Sequence, residues 1–380
     1  MSSRDPSRPP SGALILSGSI GKGHDTVAEA CAGALSAAGC ESEIVDCMAL
    51  MGSVSGRIGD LVFRSLLRAR GLYDAFHFTQ LRAGSRLAAL MDRAATRQLV
   101  EPLRRKVEAQ GADLLLSVFA TGVGAVDRLK TAAGMPWLRS VVYCTDACPH
   151  SMWVHASTDL FLVTDPVSGA CIRAHRPDAR VAVVPAAARP EFSAPPTRDE
   201  ARAAFGVPPG TQCALVMAGS WGLASLDRIA SALAEAGFFV LAVAGTNTGL
   251  HRRLGALAGT NRSVVPFGFT DRVPELMMAS DVVVTTPGDT CTEARLLDRP
   301  LVLLDTIPGH GRENLQLELA RGRAAAAVPR PEIVVASARR LLGSPEQSAP
   351  TGTAPLGDRE WIQVFLAAMA PVGLRTQRSA

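Results

Sequence analysis

The stretch from Ser280 to Asn314, SDVVVTTPGDTCTEARLLDRPLVLLDTIPGHGREN, limits the possible folds of this chain more than any other. The apolar run Val282 to Val284 ends at Thr285-Thr286-Pro287-Gly288, and a helical pattern begins at about Asp289. That order reads as strand, glycine turn, helix. A second buried strand, Pro300 to Leu304, follows, then the polar loop Pro308-Gly309-His310-Gly311 and another helix carrying Asn314. Two loops at the carboxyl ends of neighbouring parallel strands make a ligand crevice in an open α/β sheet. The free amides of the first helical turn, at the positive end of the dipole, suit an anion such as a diphosphate. Glu293 stands one turn in, within reach of a ribose diol. An ordinary βαβ unit in which Gly288 only turns the chain would use the same residues.

The amino-terminal half opens in the same way. Ala13 to Leu16 reads as a short buried strand, Gly18-Ser19-Ile20-Gly21-Lys22-Gly23-His24 follows it, and from Asp25 small and apolar residues recur at helical spacing up to Gly39. A phosphate-binding P-loop needs Ser or Thr after its Gly-Lys, whereas here Gly23 follows Lys22, and the dinucleotide fingerprint orders its glycines differently. The loop instead puts a histidine at the mouth of the helix. An imidazole with a pKa near about 6.5 can accept a hydroxyl proton at neutral pH, although a lone loop histidine also serves structural roles. Ser53 to Gln110 reads as mostly amphipathic helix, interrupted by an aromatic break at Gly71-Leu72-Tyr73-Asp74-Ala75-Phe76-His77-Phe78. Leu114 to Val118, Leu138 to Tyr143 and Leu160 to Thr164 are further strands, and Thr145-Asp146-Ala147-Cys148-Pro149-His150-Ser151-Met152-Trp153 lies between the last two.

A new βα series starts after Pro195-Pro196: strand Cys213 to Met217, loop Ala218 to Gly222, and a helix from about Leu223. Strand Phe239 to Ala244 runs into Gly245-Thr246-Asn247, and strand Ser263 to Pro266 into Gly268-Phe269-Thr270-Asp271. A helix follows Pro329, then Ser344 to Gly357, then an apolar helix from Trp361 to Met369.

Taken in order, these segments resemble a glycosyltransferase family that includes monogalactosyldiacylglycerol synthases, processive diacylglycerol glucosyltransferases and, more distantly, the lipid I N-acetylglucosaminyltransferase of peptidoglycan synthesis. The resemblance implies an α/β fold of the GT-B type, two facing Rossmann-like domains with parallel sheets, the active site between them and a C-terminal helix crossing back. The implied division is a lead at 1–11, read as disordered from its polar, Pro-rich composition, an acceptor-side domain at 12–190, a nucleotide-sugar-binding domain at 191–355, and a crossing helix and tail at 356–380. Val184-Pro185 through Arg189-Pro190-Glu191-Phe192 resembles the family's interdomain segment.

By the same resemblance, His24 matches the proposed catalytic base, and Asp146 could orient a histidine or bind an acceptor hydroxyl. The donor would meet Gly23, Ser220, Asn247, Gly288, Asp289, Thr290, His310 and Asn314, with Phe269 and Thr270 at the uracil and Glu293 at the ribose. On the acceptor side stand His150, Trp153, Tyr73 and Phe76. The sequence departs from the family's pattern at three places, the first bearing on acceptor contacts and the other two on specificity. Phe119-Ala120-Thr121-Gly122 replaces a histidine or proline, Ala218 to Gly222 replaces Gly-Gly-Gly-Glu-Gly, and His310-Gly311 replaces the Gln-Glu that usually contacts sugar hydroxyls.

The expectation is an inverting transfer from a UDP-sugar to a hydroxyl acceptor, a lipid such as diacylglycerol or a glycolipid, with neither metal nor cofactor. Rival readings are transfer to a soluble natural product or polyprenyl-linked acceptor, a UDP-sugar 2-epimerase, and a non-catalytic nucleotide-sugar-binding protein. Between Arg57 and Glu108 eleven Arg or Lys stand against five Asp or Glu, in a chain of net charge +4. Residues 57–108 are therefore a candidate surface for an anionic membrane, or simply a solvated helical face. The arginine bias is read as compositional, so no nucleic-acid partner is expected. Eight cysteines at irregular spacing, most in apolar stretches, read as buried free thiols of a reducing cytosol. No apolar run approaches the ~18 residues that span a bilayer. The expected location is cytoplasmic, or peripheral on the inner face of the plasma membrane.

Overall fold

Strands as uniformly apolar as ALILS and VVVT cannot leave either face in water, so each sheet needs helices on both sides. The computed structural model describes residues 10–18, 23–52, 70–187, 189–192, 194–217, 225–344 and 358–373. It divides into two compact units, Met1–Ala187 with Gly357–Ala380, and Ala188–Leu356. Ser220, the Ser19-to-Lys22 part of the first glycine loop, most of the lead, and the start of the basic stretch, up to residue 69, lie outside the described residues.

The first unit runs β1 (Ala13–Ser17), α1 (Gly23–Ala37), β2 (Ser42–Asp46), α2 (Cys47–Leu50), α3 (Arg70–Phe76), a π turn (His77–Leu81), α4 (Arg86–Gln110), β3 (Leu114–Ser117), α5 (Ala120–Thr131), β4 (Arg139–Cys144), β5 (Leu160–Val163), α6 (Pro166–His175) and β6 (Val181–Val183). All pairings are parallel, in the order β2-β1-β3-β4-β5-β6. The chain order reverses between β1 and β3. Loops leaving those two strands therefore border a crevice at the carboxyl edge.

In the second unit, α7 (Arg198–Ala204) leads into β7 (Cys213–Met217), α8 (Leu226–Glu235), β8 (Phe239–Val243), α9 (Thr248–Thr260), β9 (Val264–Phe267), α10 (Val273–Ala279), β10 (Val282–Thr285), α11 (Asp289–Leu296), β11 (Leu301–Leu304), α12 (His310–Ala320), β12 (Ala324–Ala327) and α13 (Pro331–Gly343). Its parallel order is β12-β11-β10-β7-β8-β9, with the reversal between β10 and β7.

The last helix, α14 (Asp358–Met369), belongs to the first unit. Trp361, Phe365, Leu366 and Met369 pack with Ile15, Leu116 and Tyr143 of that sheet and with Val27 and Leu35 of α1. The Trp361 indole N–H donates to the Pro185 carbonyl at 2.9 Å, and the Arg139 guanidinium to the Val372 carbonyl at 2.9 Å. These buried polar ends are satisfied, which is what allows an aromatic helix to dock there without stranded donors.

Two expectations need correction. The aromatic stretch from Gly71 to Phe78 does not break the helix. It forms α3 and enters the π turn, because Tyr73, His77 and Leu81 recur four residues apart and are all buried. The interruption falls at Arg82 to Ser85, where Gly84 takes φ +65° and Ser85 caps α4 by accepting from the Ala88 amide. Nor are all cysteines free: Cys148 and Cys171 are disulfide-bonded, their Cα atoms 5.5 Å apart, tying the segment after β4 to α6. The other six are buried free thiols.

Candidate functional site

Each sheet gathers its candidate residues at the carboxyl ends of its strands. In the first unit, His24 is the second residue of α1, just past the loop that leaves β1. Its ring meets Phe119, which ends the connection from β3, edge to face at 5.5 Å. The two side chains thus come from the two strands on either side of the reversal. Phe119 also explains Gly18: a Cβ there would lie 2.7 Å from the phenyl ring, so only glycine fits. The aromatic that replaces the expected histidine or proline is therefore a wall for His24. The histidine's Nδ1 is buried and takes no hydrogen bond among the described residues.

Among the described residues Asp146 makes no hydrogen bond to a histidine. Its Oδ2 accepts from the Trp153 indole at 2.8 Å, which fixes the turn after β4. Trp153 is itself core, packed with Val142, Phe161 and Ile172, and so has no free face for a sugar. Tyr73 is likewise buried and lies 6.1 Å from His77, while Phe76 on the same helix is half-buried. His77, which sequence reasoning passed over, is the centre of this group: it is fully buried, and His150 meets it edge-on at 5.8 Å. Tyr73 and His150 are thus brought together through His77, a link its four-residue spacing from Tyr73 could have suggested.

In the second unit the donor-side candidates lie at one edge of one sheet. Asn247 follows β8, Phe269 and Thr270 follow β9, Gly288 to Glu293 follow β10, and His310 follows β11. Asn247 caps α9, accepting from the Leu250 amide at 2.9 Å. Phe269 stands 57% exposed, an unusual position for a phenylalanine at a strand end. Beside it, the Thr270 hydroxyl accepts from the Arg272 amide at 3.1 Å.

Gly288 caps α11 with no side chain, and a Cβ built on it would meet nothing within 4 Å. Packing therefore does not demand this glycine. The cap thus places no side chain beside the first amides of α11, those of Asp289 and Thr290. One turn on, Glu293 is 8% exposed, and both the Nε and an Nη of Arg189 reach its Oε1 at 3.0 Å. Burial pushes the Glu293 carboxyl up to about 7, against the pull of Arg189. His310 and Asn314 are one turn apart on α12, both half-buried. Gly311 is fixed by packing, since a Cβ there would lie 2.4 Å from the Ile307 side chain. The pair His310-Gly311 thus offers one side chain, that of His310.

No group of His, Cys, Asp and Glu suited to a metal ion occurs among the described residues.

The geometry can be set beside known proteins. No family model matches the chain. A processive diacylglycerol β-glucosyltransferase of Bacillus pumilus is 28% identical over 248 residues, 63% of each chain, and that of Bacillus subtilis is 29% identical over 241 residues, 62% of each. The chain is similar to processive diacylglycerol β-glucosyltransferases. These two alignments span less than two thirds of the relatives' own length. The Bacillus cytotoxicus relative of the same name aligns at 26% identity over 320 residues, 82% of this chain and 80% of its own.

Solved structures extend the likeness to the whole fold. Acinetobacter baumannii MurG superposes with a TM-score of 0.58 at 13% identity, over 93% of this chain and 98% of its own. S. aureus MnaA with UDP gives 0.63 at 11% identity, over 97% and 99%. The fold is GT-B. A UDP-GlcNAc 2-epimerase from Neisseria meningitidis shares it at a TM-score of 0.57, 13% identity and 94% of this chain against 99% of its own, so architecture alone does not choose the reaction.

Proposed function

We propose that this chain transfers a hexose from a UDP-sugar to the hydroxyl of a membrane lipid, diacylglycerol or a glycolipid, with inversion at the anomeric carbon. The observation that carries the donor half is the turn from Thr286 to Glu293, where a glycine cap with no side chain precedes the first amides of α11 and a buried carboxylate follows one turn later. Those amides and the Thr290 hydroxyl would hold the diphosphate, and Glu293 the ribose. Phe269, already exposed, would lie at the uracil, with Thr270, Asn247, His310, Asn314 and Ser220 completing the donor contacts. In the reaction, Nε2 of His24 takes the acceptor hydroxyl proton as the oxygen attacks C1 from the face opposite the diphosphate. The bond from C1 to the diphosphate oxygen breaks, and the charge that develops there is met by oriented amides, without need of a metal.

The lipid half rests on the names of the relatives together with exposed side chains of the first unit. Leu72 and Phe78 on α3 and the π turn, and Leu87, Leu90 and Met91 at the start of α4, are exposed, and so are Arg86, Arg93 and Arg97 on α4. Apolar side chains flanked by cations suit an anionic bilayer surface, on which the protein would rest peripherally. No helix among the described residues is long and apolar enough to cross a membrane.

The test is incubation of the purified protein with radiolabelled UDP-glucose or UDP-galactose and diacylglycerol vesicles, with the lipid phase resolved by chromatography. A labelled glycolipid supports the reading. Conversion of the donor without any acceptor would replace it with epimerisation, and binding without turnover would replace it with a nucleotide-sugar-binding role.

A further inference from the structure

The guanidinium of Arg189 is placed where the donor reading has no use for a substrate contact. Its Nε donates to Oε1 of Glu293 at 3.0 Å, and its Nη2 lies 3.0 Å from the same oxygen as an ion pair. Oε2 takes no hydrogen bond among the described residues. The arginine is itself held, its guanidinium lying 5.1 Å over the ring of Phe192, a core residue of the second unit. Phe192 and Arg189 sit three residues apart around a short 3-10 turn, Pro190–Phe192.

A buried carboxylate without a cation takes up a proton, and a neutral acid makes weaker bonds to a diol than a carboxylate does. The charged groups acting on Glu293 are Arg189, which favours ionisation, and Asp289 and Glu191, which oppose it along with burial. Among the described residues Arg189 is thus the one cation set against two carboxylates and the desolvation of the site. Its hydrogen bond and its ion-pair contact both fall on one oxygen, so the other remains for a ligand.

We infer that Arg189 is a positioning residue for the donor: it grips Glu293 by Oε1, leaving Oε2 for the two ribose hydroxyls. This rests on the donor reading given above. It assigns to the Arg-Pro-x-Phe segment a part in nucleotide selectivity as well as in joining the two units. Arg189 acts on the ribose through Glu293 and makes no contact with the phosphates.

Calorimetric titration with two probes, UDP and 2′,3′-dideoxy-UDP, tests this on the full chain for the wild type, Arg189→Lys and Arg189→Gln. Wild type should bind UDP about tenfold or more tightly than the dideoxy nucleotide. Arg189→Gln should lose about that factor for UDP and little for dideoxy-UDP, with the midpoint of UDP affinity against pH moving upward as Glu293 holds its proton longer. Arg189→Lys should recover much of the pH profile, and it provides the same comparison should the glutamine variant not fold. An equal loss for both nucleotides in either variant would overturn the inference, since Arg189 would then be acting on the phosphates or on the fold. So would unchanged UDP affinity and pH profile. Failure of the wild type to bind UDP at all is a distinct result, and it overturns the donor reading and the inference together.

Discussion

Replacing Glu293 by glutamine should change how the stability of the protein depends on pH. In the folded chain burial raises the carboxyl from an ordinary 4.5 to about 7, with Arg189 at 3.0 Å opposing the rise. A folded-state pKa above the unfolded one means that the native protein holds the proton more tightly. The associated stability is fully present below about pH 4.5 and is lost as pH rises through about 7. Between about pH 5.5 and about pH 8.5 the ionisation of this one group should remove about 2 kcal/mol from the wild type. Glutamine keeps the shape and cannot ionise. Urea unfolding followed by circular dichroism at both pH values, with other titrating groups cancelled by taking wild type minus Glu293→Gln, should show the difference moving by about 2 kcal/mol in favour of the variant as pH rises. A flat difference would mean that desolvation is not felt at Glu293. A shift of the opposite sign would mean that Arg189 outweighs burial and holds the carboxyl below its ordinary value.

Two further expectations concern the first unit. Cys148 and Cys171 close a loop of sequence separation 23, so Cys148→Ser with Cys171→Ser should lower the unfolding free energy by about 3 kcal/mol on the loop-entropy estimate, read by denaturant unfolding. The oxidised wild type should lose a similar amount on reduction, and equal midpoints with and without reductant would count against the bridge. For the exposed face, Leu90→Ser and Met91→Ser together with Arg86→Gln and Arg93→Gln should weaken binding to anionic vesicles by about a hundredfold or more, from lost apolar burial and about 1 kcal/mol per cation. Flotation of wild type and variant to the same height would remove this face from the lipid reading.

Much of the fold was legible because its strands are short, wholly apolar runs closed by glycine or polar turns. Cys213 to Met217 was read to the residue, and Ala13 to Leu16 and Phe239 to Ala244 to within one residue at their ends. Three strands escaped. Ser42–Asp46 and Val181–Val183 are edge strands with partly exposed faces, and Ala324–Ala327 is four alanines, a residue type that favours helix and carries no strand signal. The helical path through Gly71 to Phe78 was missed because aromatic residues and a glycine mimic a loop, while the burial of Tyr73 and His77 that decides the matter is tertiary.

At the site, the glycine turn at Gly288 and the position of Glu293 followed from local order in the sequence. The roles of individual side chains did not follow so directly. Trp153 and Asp146 satisfy each other, and Asn247 caps a helix, because a polar or aromatic residue in a strand-end loop serves the backbone as readily as a ligand. The pairing of Arg189 with Glu293 spans 104 residues and left no periodic trace. Nor did the fit of Gly18 against Phe119, which depends on two strands adjacent in the sheet but distant along the chain.

The central claim is best tested by separating donor binding from chemistry at His24. Wild type and His24→Ala should bind UDP with the same affinity by calorimetry, while transfer from radiolabelled UDP-sugar to diacylglycerol should fall by about a hundredfold or more in the variant. Full transfer activity in His24→Ala, or loss of UDP binding in step with loss of transfer, would contradict the account.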